Sequence, residues 1–353
     1  MDEIFILGLA AFLTLLLGWG FTHLQAERWQ FIAAVPMRKT GAGSWAAVNL
    51  TYYGFFSATA YLLAVALLCV LLGSRSVPPA MMAILAVCIL GICVPASRWV
   101  AKIVEKKSFT FSVQGAFFVG ILMAPWTILA INTLMARFFP DSRQEPLDVM
   151  IILSAMAAAY AMGEGVGRLS CISFGCCYGK PLAQSAPLLE KLFAKHHLTF
   201  QGPTKKIAYA DGWEGIPTIP AQALTAAVLC LTGLAGVYLF LKGYFAAGFT
   251  GVLILTQAWR FFSEFLRADY RGGGRISAYQ VMGCIAIAYA FLLIRLFPAG
   301  AHGGHDLAAG LLTLWDPFMI LFLQGLWILT FLYTGRSQVT AANLSFHVVR
   351  ENI

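Results

Sequence analysis

IFILGLAAFLTLLLGWGF, residues 4–21, holds no charged side chain and a single hydroxyl, that of Thr14. Coiled as an α-helix at 1.5 Å per residue, a run of this length spans about 27 Å, close to the hydrocarbon thickness of a bilayer. Asp2 and Glu3 stand before it in place of a basic segment, and no small-x-small cleavage pattern clearly follows. It therefore reads as a retained helix and not as a cleaved signal peptide. Runs of the same kind recur at 51–73, 79–96, 113–135, 147–163, 221–241, 247–266, 277–296 and 313–334. Together they predict an all-α polytopic membrane protein with about nine transmembrane helices.

Composition points the same way. Of 353 residues, 59% are hydrophobic and 11% charged, and the mean hydropathy is +0.76, outside the range of a soluble globular domain. No internal repeat, low-complexity tract or long polar insert interrupts the pattern, so one membrane domain is expected. The net charge of +8 is no sign of nucleic-acid binding, because the basic residues lie between apolar helices; anionic lipid is the partner it suggests. Sorted by alternate loops, 18 of the 24 Lys and Arg fall on the side that carries residues 168–220 and 5 on the other, with Arg260 inside a helix. The positive-inside rule places the richer side in the cytoplasm, although a site for anionic headgroups would also gather cations on its own side.

Charged groups at membrane depth are functional candidates, since each costs several kcal/mol unless paired. TQAWRFFSEFLRADYRGGGR, residues 256–275, sets Arg260, Glu264 and Arg267 at spacings of four and three, which predicts an ion-paired ladder on one helical face. Glu164 and Arg168 repeat the four-residue spacing on another helix. Two arginines, each with a carboxylate one turn away to orient it, make a clamp for a phosphodiester, because the guanidinium fork donates two hydrogen bonds to phosphate oxygens and stays charged when buried. The bland reading of Arg267 is a side chain that snorkels to the interface.

Five of the eight cysteines, Cys69, Cys88, Cys93, Cys230 and Cys284, fall inside predicted helices, where a thiol acts as a small apolar filler. Cys171, Cys176 and Cys177 lie instead in GRLSCISFGCCYGKP, residues 167–181, where hydrophobicity breaks off. Their CxxxxCC spacing supplies three thiolates and no fourth ligand at a familiar zinc spacing; His196 and His197, further along the same loop, are the nearest supplement. A disulfide, a thiol activated by Arg168 or Lys180, and small residues packed in a tight turn are the other readings. AGAHGGHDLAAG, residues 299–310, reads as a flexible loop.

Taken in order, these motifs resemble those of the prolipoprotein diacylglyceryl transferases. Gly167-Arg168, Gly175 and Tyr178-Gly179 are similar to the family signature, and Tyr53-Gly54, Pro220-x-Gln222, Arg260-Phe-x-x-Glu264-x-x-Arg267 and Ile276-Ser-x-x-Gln280 to its other motifs. The resemblance covers residues 50–297 and implies a seven-helix transferase core. Residues 1–49, an extra N-terminal helix and loop, and 298–353, a linker, an extra C-terminal helix and a tail, are then additions. It implies an enzyme of the bacterial inner membrane that moves the diacylglyceryl group of phosphatidylglycerol to the lipobox cysteine of a preprolipoprotein, forming a thioether and releasing glycerol phosphate, with no cofactor or metal.

Carried onto this chain, the resemblance makes Arg168 and Arg260 ligands of the phosphodiester, Glu264 the group that positions Arg260, and Tyr53 a hydrogen-bond donor near the headgroup. Gly167, Gly179, Gln114, Gln222, Arg267, Gln280 and Tyr178 become substrate-binding positions, and Cys171, Cys176 and Cys177 a possible thiol site. The chain departs from the family at VQGAFFVG, where Gln114 stands for a histidine that helps take the thiol proton, and glutamine is no base at neutral pH. The family's catalytic side faces away from the cytoplasm, opposite to the side that the charge asymmetry selects. Two alternatives follow: a divergent enzyme acting on another lipid or small-molecule acceptor, and a phospholipid-binding or transport protein without chemistry.

Overall fold

The computed structural model describes residues 1–41, 43–104, 106, 112–140, 145–269, 276–298 and 304–353. Lys107, Arg143, Arg271 and Arg275 of the charge asymmetry, His302, and residues 299–303 of the glycine-rich linker lie outside the described residues. Nine of the described helices are long and apolar enough to cross a bilayer. They are α1 (Asp2–His23), α2 (Tyr52–Gly73), α3 (Pro79–Val104), α4 (Val113–Phe138), α5 (Val149–Phe174), α8 (Ala221–Leu241), α9 (Phe245–Ser263), α10 (Ala278–Leu296) and α12 (Pro317–Thr334). Three short helices, α6 (Pro187–Phe193), α7 (Lys206–Asp211) and α11 (Leu307–Thr313), lie between them. The chain is thus the multi-pass helical membrane protein that its hydropathy predicts.

The most enclosed span is α5, which packs against α2, α8 and α9. Its start is fixed by Asp148, whose carboxylate accepts from the backbone N–H groups of Met150 and Ile151 at 2.8 and 3.0 Å. Small residues let its neighbours approach: a Cβ on Gly165 would stand 2.5 Å from Cys230 Sγ and 3.0 Å from the Cys230 nitrogen, so α8 lies against bare backbone there. Hydropathy ends this helix at 163, but the structure carries it eleven residues further, to Phe174. Leu169, Ile172 and Ser173 are buried within the protein, so the last three turns answer to protein packing and not to lipid.

Three strands stand outside the all-α expectation for the two ends of the chain. Strands β1 (Phe31–Lys39) and β2 (Ser44–Thr51) form an antiparallel hairpin after α1, and β3 (Arg336–Ser345), after α12, pairs antiparallel with β2. The sheet order is β1-β2-β3, with Trp45 opposite Leu344 and Leu50 opposite Arg336. Thr51 ties sheet to membrane helix: its hydroxyl donates to the Gly335 carbonyl at 3.0 Å while accepting from Gly54 N–H at the start of α2. The glycine-rich linker also differs from expectation in its second half, where Asp306 caps α11. A Cβ on Gly310 of α11 would meet the Val70 carbonyl at 2.3 Å, so that helix is seated directly on α2.

Candidate active site

Tyr160, Glu164 and Arg168 lie one turn apart on α5 and so share a face. Glu164 Oε2 accepts from the Tyr160 hydroxyl, and Glu164 Oε1 accepts from Arg168 Nη2. The same Oε1 also accepts from Nη2 of Arg260, which arrives from α9. Arg260 Nη2 additionally donates to the Tyr160 hydroxyl at 3.1 Å, and the Tyr160 ring stacks on Phe117 of α4 at a centroid distance of 4.3 Å. One carboxylate therefore joins two guanidinium groups from different helices. The ladder expected within α9 is thus joined to α5, because Arg260 binds Glu164 across the bundle.

Where α9 stops decides the place of Arg267. The α-helix ends at Ser263 with the Glu264 N–H still donating to the Arg260 carbonyl, Glu264–Leu266 form a 3-10 turn, and Arg267 is extended, so Arg267 leaves the helical face that Arg260 and Glu264 share. Arg267 does not snorkel, since its side chain is buried. It donates to Asp269 through Nε at 2.8 Å and Nη2 at 2.7 Å, a two-point ion pair. Its backbone bridges Gly179, with Lys180 N–H donating to the Leu266 carbonyl and Ala268 N–H to the Tyr178 carbonyl. Gly179 is needed for this close layering, because a Cβ would lie 2.3 Å from the Ile219 carbonyl on the other side.

The remaining positions divide by what they touch. Tyr178 is 1% exposed, donates to Asp211 and packs edge-on against Trp213, which fastens the loop to α7. Burial first, and the bond to Asp211 after it, hold its phenol well above the usual range. Gln222 donates to the Cys176 carbonyl at 2.9 Å. Gln280 closes a capping box with Ser277 at the start of α10 and donates to the Phe261 carbonyl at 3.1 Å, so it joins α10 to α9. Gln114 donates to Gln257 Oε1 at 2.9 Å. Gly167 is near Ala60, and Tyr53 packs edge-on against Phe174 at 5.6 Å. Tyr160 is the residue that sequence reasoning missed, and the same four-residue period that pairs Glu164 with Arg168 extends back to it.

Four polar atoms in this region are buried without a hydrogen-bond partner among the described residues: Nε of Arg168, Nε of Arg260, Oε1 of Gln114 and Oε1 of Gln222. Unpaired buried donors are expensive, and on a charged guanidinium more so. The two Nε–H groups are thus available to an acceptor that the described residues do not supply.

At the end of α5, Gly175 adopts a left-handed conformation (φ 70°) and its N–H and that of Cys176 close the last turn onto Ile172 and Cys171. Cys177, also left-handed at φ 58°, folds the chain back, and the sulfurs of Cys171, Cys176 and Cys177 lie within 4.8 Å of one another. Thiol contacts with Cys171 first and Cys177 next, and then burial, push the Cys176 thiol up. His196 and His197 do not join this group, and the His197 ring is engaged with the Ala194 carbonyl at 3.0 Å.

Fold and site together define a multi-pass membrane protein organised around a buried, carboxylate-bridged pair of arginines. The family model of prolipoprotein diacylglyceryl transferase matches residues 42–296, and the chain belongs to that family, whose members are membrane transferases of lipoprotein biosynthesis. No curated protein gives a significant match to the chain.

Proposed function

We propose that the protein transfers the diacylglyceryl group of phosphatidylglycerol to the thiol of a lipobox cysteine, in the inner membrane of a bacterium, with residues 50–297 as the catalytic core. The observation that carries this reading is the pair of spare Nε–H donors on Arg168 and Arg260. Two guanidinium groups against one carboxylate leave one positive charge, suited to a singly charged phosphodiester. Attack by the sulfur on the glyceryl carbon forms a C–S bond as the C–O bond to phosphate breaks. Glycerol phosphate leaves with the electron pair, and its new charge faces donors already in place. The thiol proton departs with it, because Gln114 cannot serve as a base. The apolar surroundings exclude water, the competing nucleophile.

An assay with radiolabelled phosphatidylglycerol and a lipobox peptide tests this directly: thioether product is expected from the parent protein and none from Arg168→Ala. A product formed equally by Arg168→Ala removes the clamp from the mechanism. A second reading rests on Gln114, whose amide is bound to Gln257 where the resemblance places a histidine. It keeps the phospholipid donor and changes the acceptor to another lipid or small molecule. Release of glycerol phosphate that needs no lipobox peptide would select it.

A further inference from the structure

The sulfur triangle at the end of α5 has no part in the reaction above, and it is the best-formed cluster of ligating groups outside the arginine pair. We propose that Cys171, Cys176 and Cys177 form a trigonal three-thiolate site for a soft monovalent metal ion, copper(I) by chemical class.

The geometry points there in three steps. A metal–sulfur bond of about 2.3 Å sets three sulfurs around one ion roughly 4 Å apart. The three Sγ atoms already lie within 4.8 Å of one another, so closing on an ion needs only small χ1 adjustments. The backbone is built for it as well. Glycine supplies one left-handed residue at 175, but the second is Cys177 itself, a conformation that a side chain adopts at some cost. That turn is what brings residue 177 back beside residue 171. The Cys176 carbonyl is pinned by Gln222 and the Cys176 N–H by the Cys171 carbonyl, so the backbone holds the loop in the shape that brings the three sulfurs together.

Donor type and number select the metal. Thiolates are soft ligands and prefer soft ions such as copper(I). Zinc would ask for a fourth ligand in tetrahedral array, and no histidine, aspartate or glutamate joins the three sulfurs among the described residues. Charge is accommodated too. Binding forms three Cu–S bonds, releases three protons to solvent and leaves copper in its original oxidation state, giving a dianionic complex. Arg168 acts on Cys171 and Cys177, Arg267 on Cys177, and Lys206 on Cys176 and Cys177. Arg168 is thus shared between the sulfur triangle and the carboxylate bridge.

The test uses the full chain in detergent micelles, kept reduced and anaerobic, with copper(I) supplied from a coloured competing chelator. One equivalent retained per chain is expected, with a near-ultraviolet thiolate-to-copper charge-transfer band. Each of Cys171→Ser, Cys176→Ser and Cys177→Ser should weaken retention at least about 100-fold, beyond the usual effect of losing an outer-shell partner. A variant with serine at Cys69, Cys88, Cys93, Cys230 and Cys284 should bind as the parent does. No retention by the parent, or loss of the band only in that five-site variant, would overturn the assignment, as would tighter retention of zinc(II) than of copper(I). Should a single variant fail to fold, alkylation of the parent decides: copper must protect these three thiols, and equal modification with and without copper refutes the site.

Discussion

Glu164 holds two positive groups at once, and the consequence of removing it is therefore larger than the loss of one ion pair. In Glu164→Gln, Arg168 and Arg260 keep their charges in a buried site without a counter-charge between them. We expect a loss of about 3–5 kcal/mol in stability, measured as thermal unfolding in micelles, together with loss of transfer. An unchanged unfolding temperature would mean that the bridge is not formed. Arg260→Lys keeps the charge and discards the planar fork, so transfer should fall by about 10²–10³ in turnover with the fold intact. The local spacing of four made the Glu164–Arg168 pair legible in the sequence, since both lie on one helix. The same rule chose Glu264 for Arg260 and missed Glu164, because a partner 96 positions away on another helix leaves no periodic trace.

At the scale of elements, two contacts make α5 the axis of the bundle. Gly165 lets α8 touch backbone, and a single added methyl in Gly165→Ala has nowhere to go, with Cys230 Sγ 2.5 Å from it. Overpacking of this kind costs about 1–3 kcal/mol, readable as a lowered unfolding midpoint. At the far end Lys205, fully buried, donates its Nζ to the Ser173 carbonyl of α5 at 2.8 Å and to the Leu24 carbonyl after α1 at 3.2 Å. Burial lowers its pKa from 10.5 to about 8, so the folded protein binds this proton less well than the unfolded chain does. Stability from this group is absent below about pH 8 and is gained as pH rises towards 10.5, by about 3 kcal/mol over the window. The difference in unfolding free energy between the parent and Lys205→Met should widen with pH by that amount; a flat difference would show that the amine is solvated. Helix boundaries taken from hydropathy missed the last turns of α5, because a helix covered by protein has no need to end where lipid ends.

Across the whole molecule, the alternation of loops is legible in hydropathy, and pairing of β2 with β3 independently places the two loops that carry them on one face. An impermeant maleimide should accordingly label His197→Cys and Val339→Cys from one side of the membrane and Tyr244→Cys from the other. Labelling of positions 197 and 339 from opposite sides would break the topology. The sheet itself was illegible. β1 carries Pro36, β3 is a polar decapeptide of alternating exposure, and strands of this kind are specified by their partners more than by their own residues. The arginine pair was legible in residue identity, whereas the convergence of three sulfurs depends on two left-handed residues in a row of three, which spacing alone does not reveal.

Pairing of β2 with β3 also imposes a schedule on biosynthesis. Asn49 of β2 donates to Thr340 of β3 at 3.2 Å, a contact 291 positions apart in the chain. At about 5–20 residues per second, a ribosome needs roughly 15–60 s to travel that distance. Throughout this interval the nascent hairpin has an open edge, and the nine spans of the described residues are made before β3 closes it. Closure of the sheet therefore waits on the synthesis of β3, and until then β2 offers an unpaired edge to any machinery that recognises such strands.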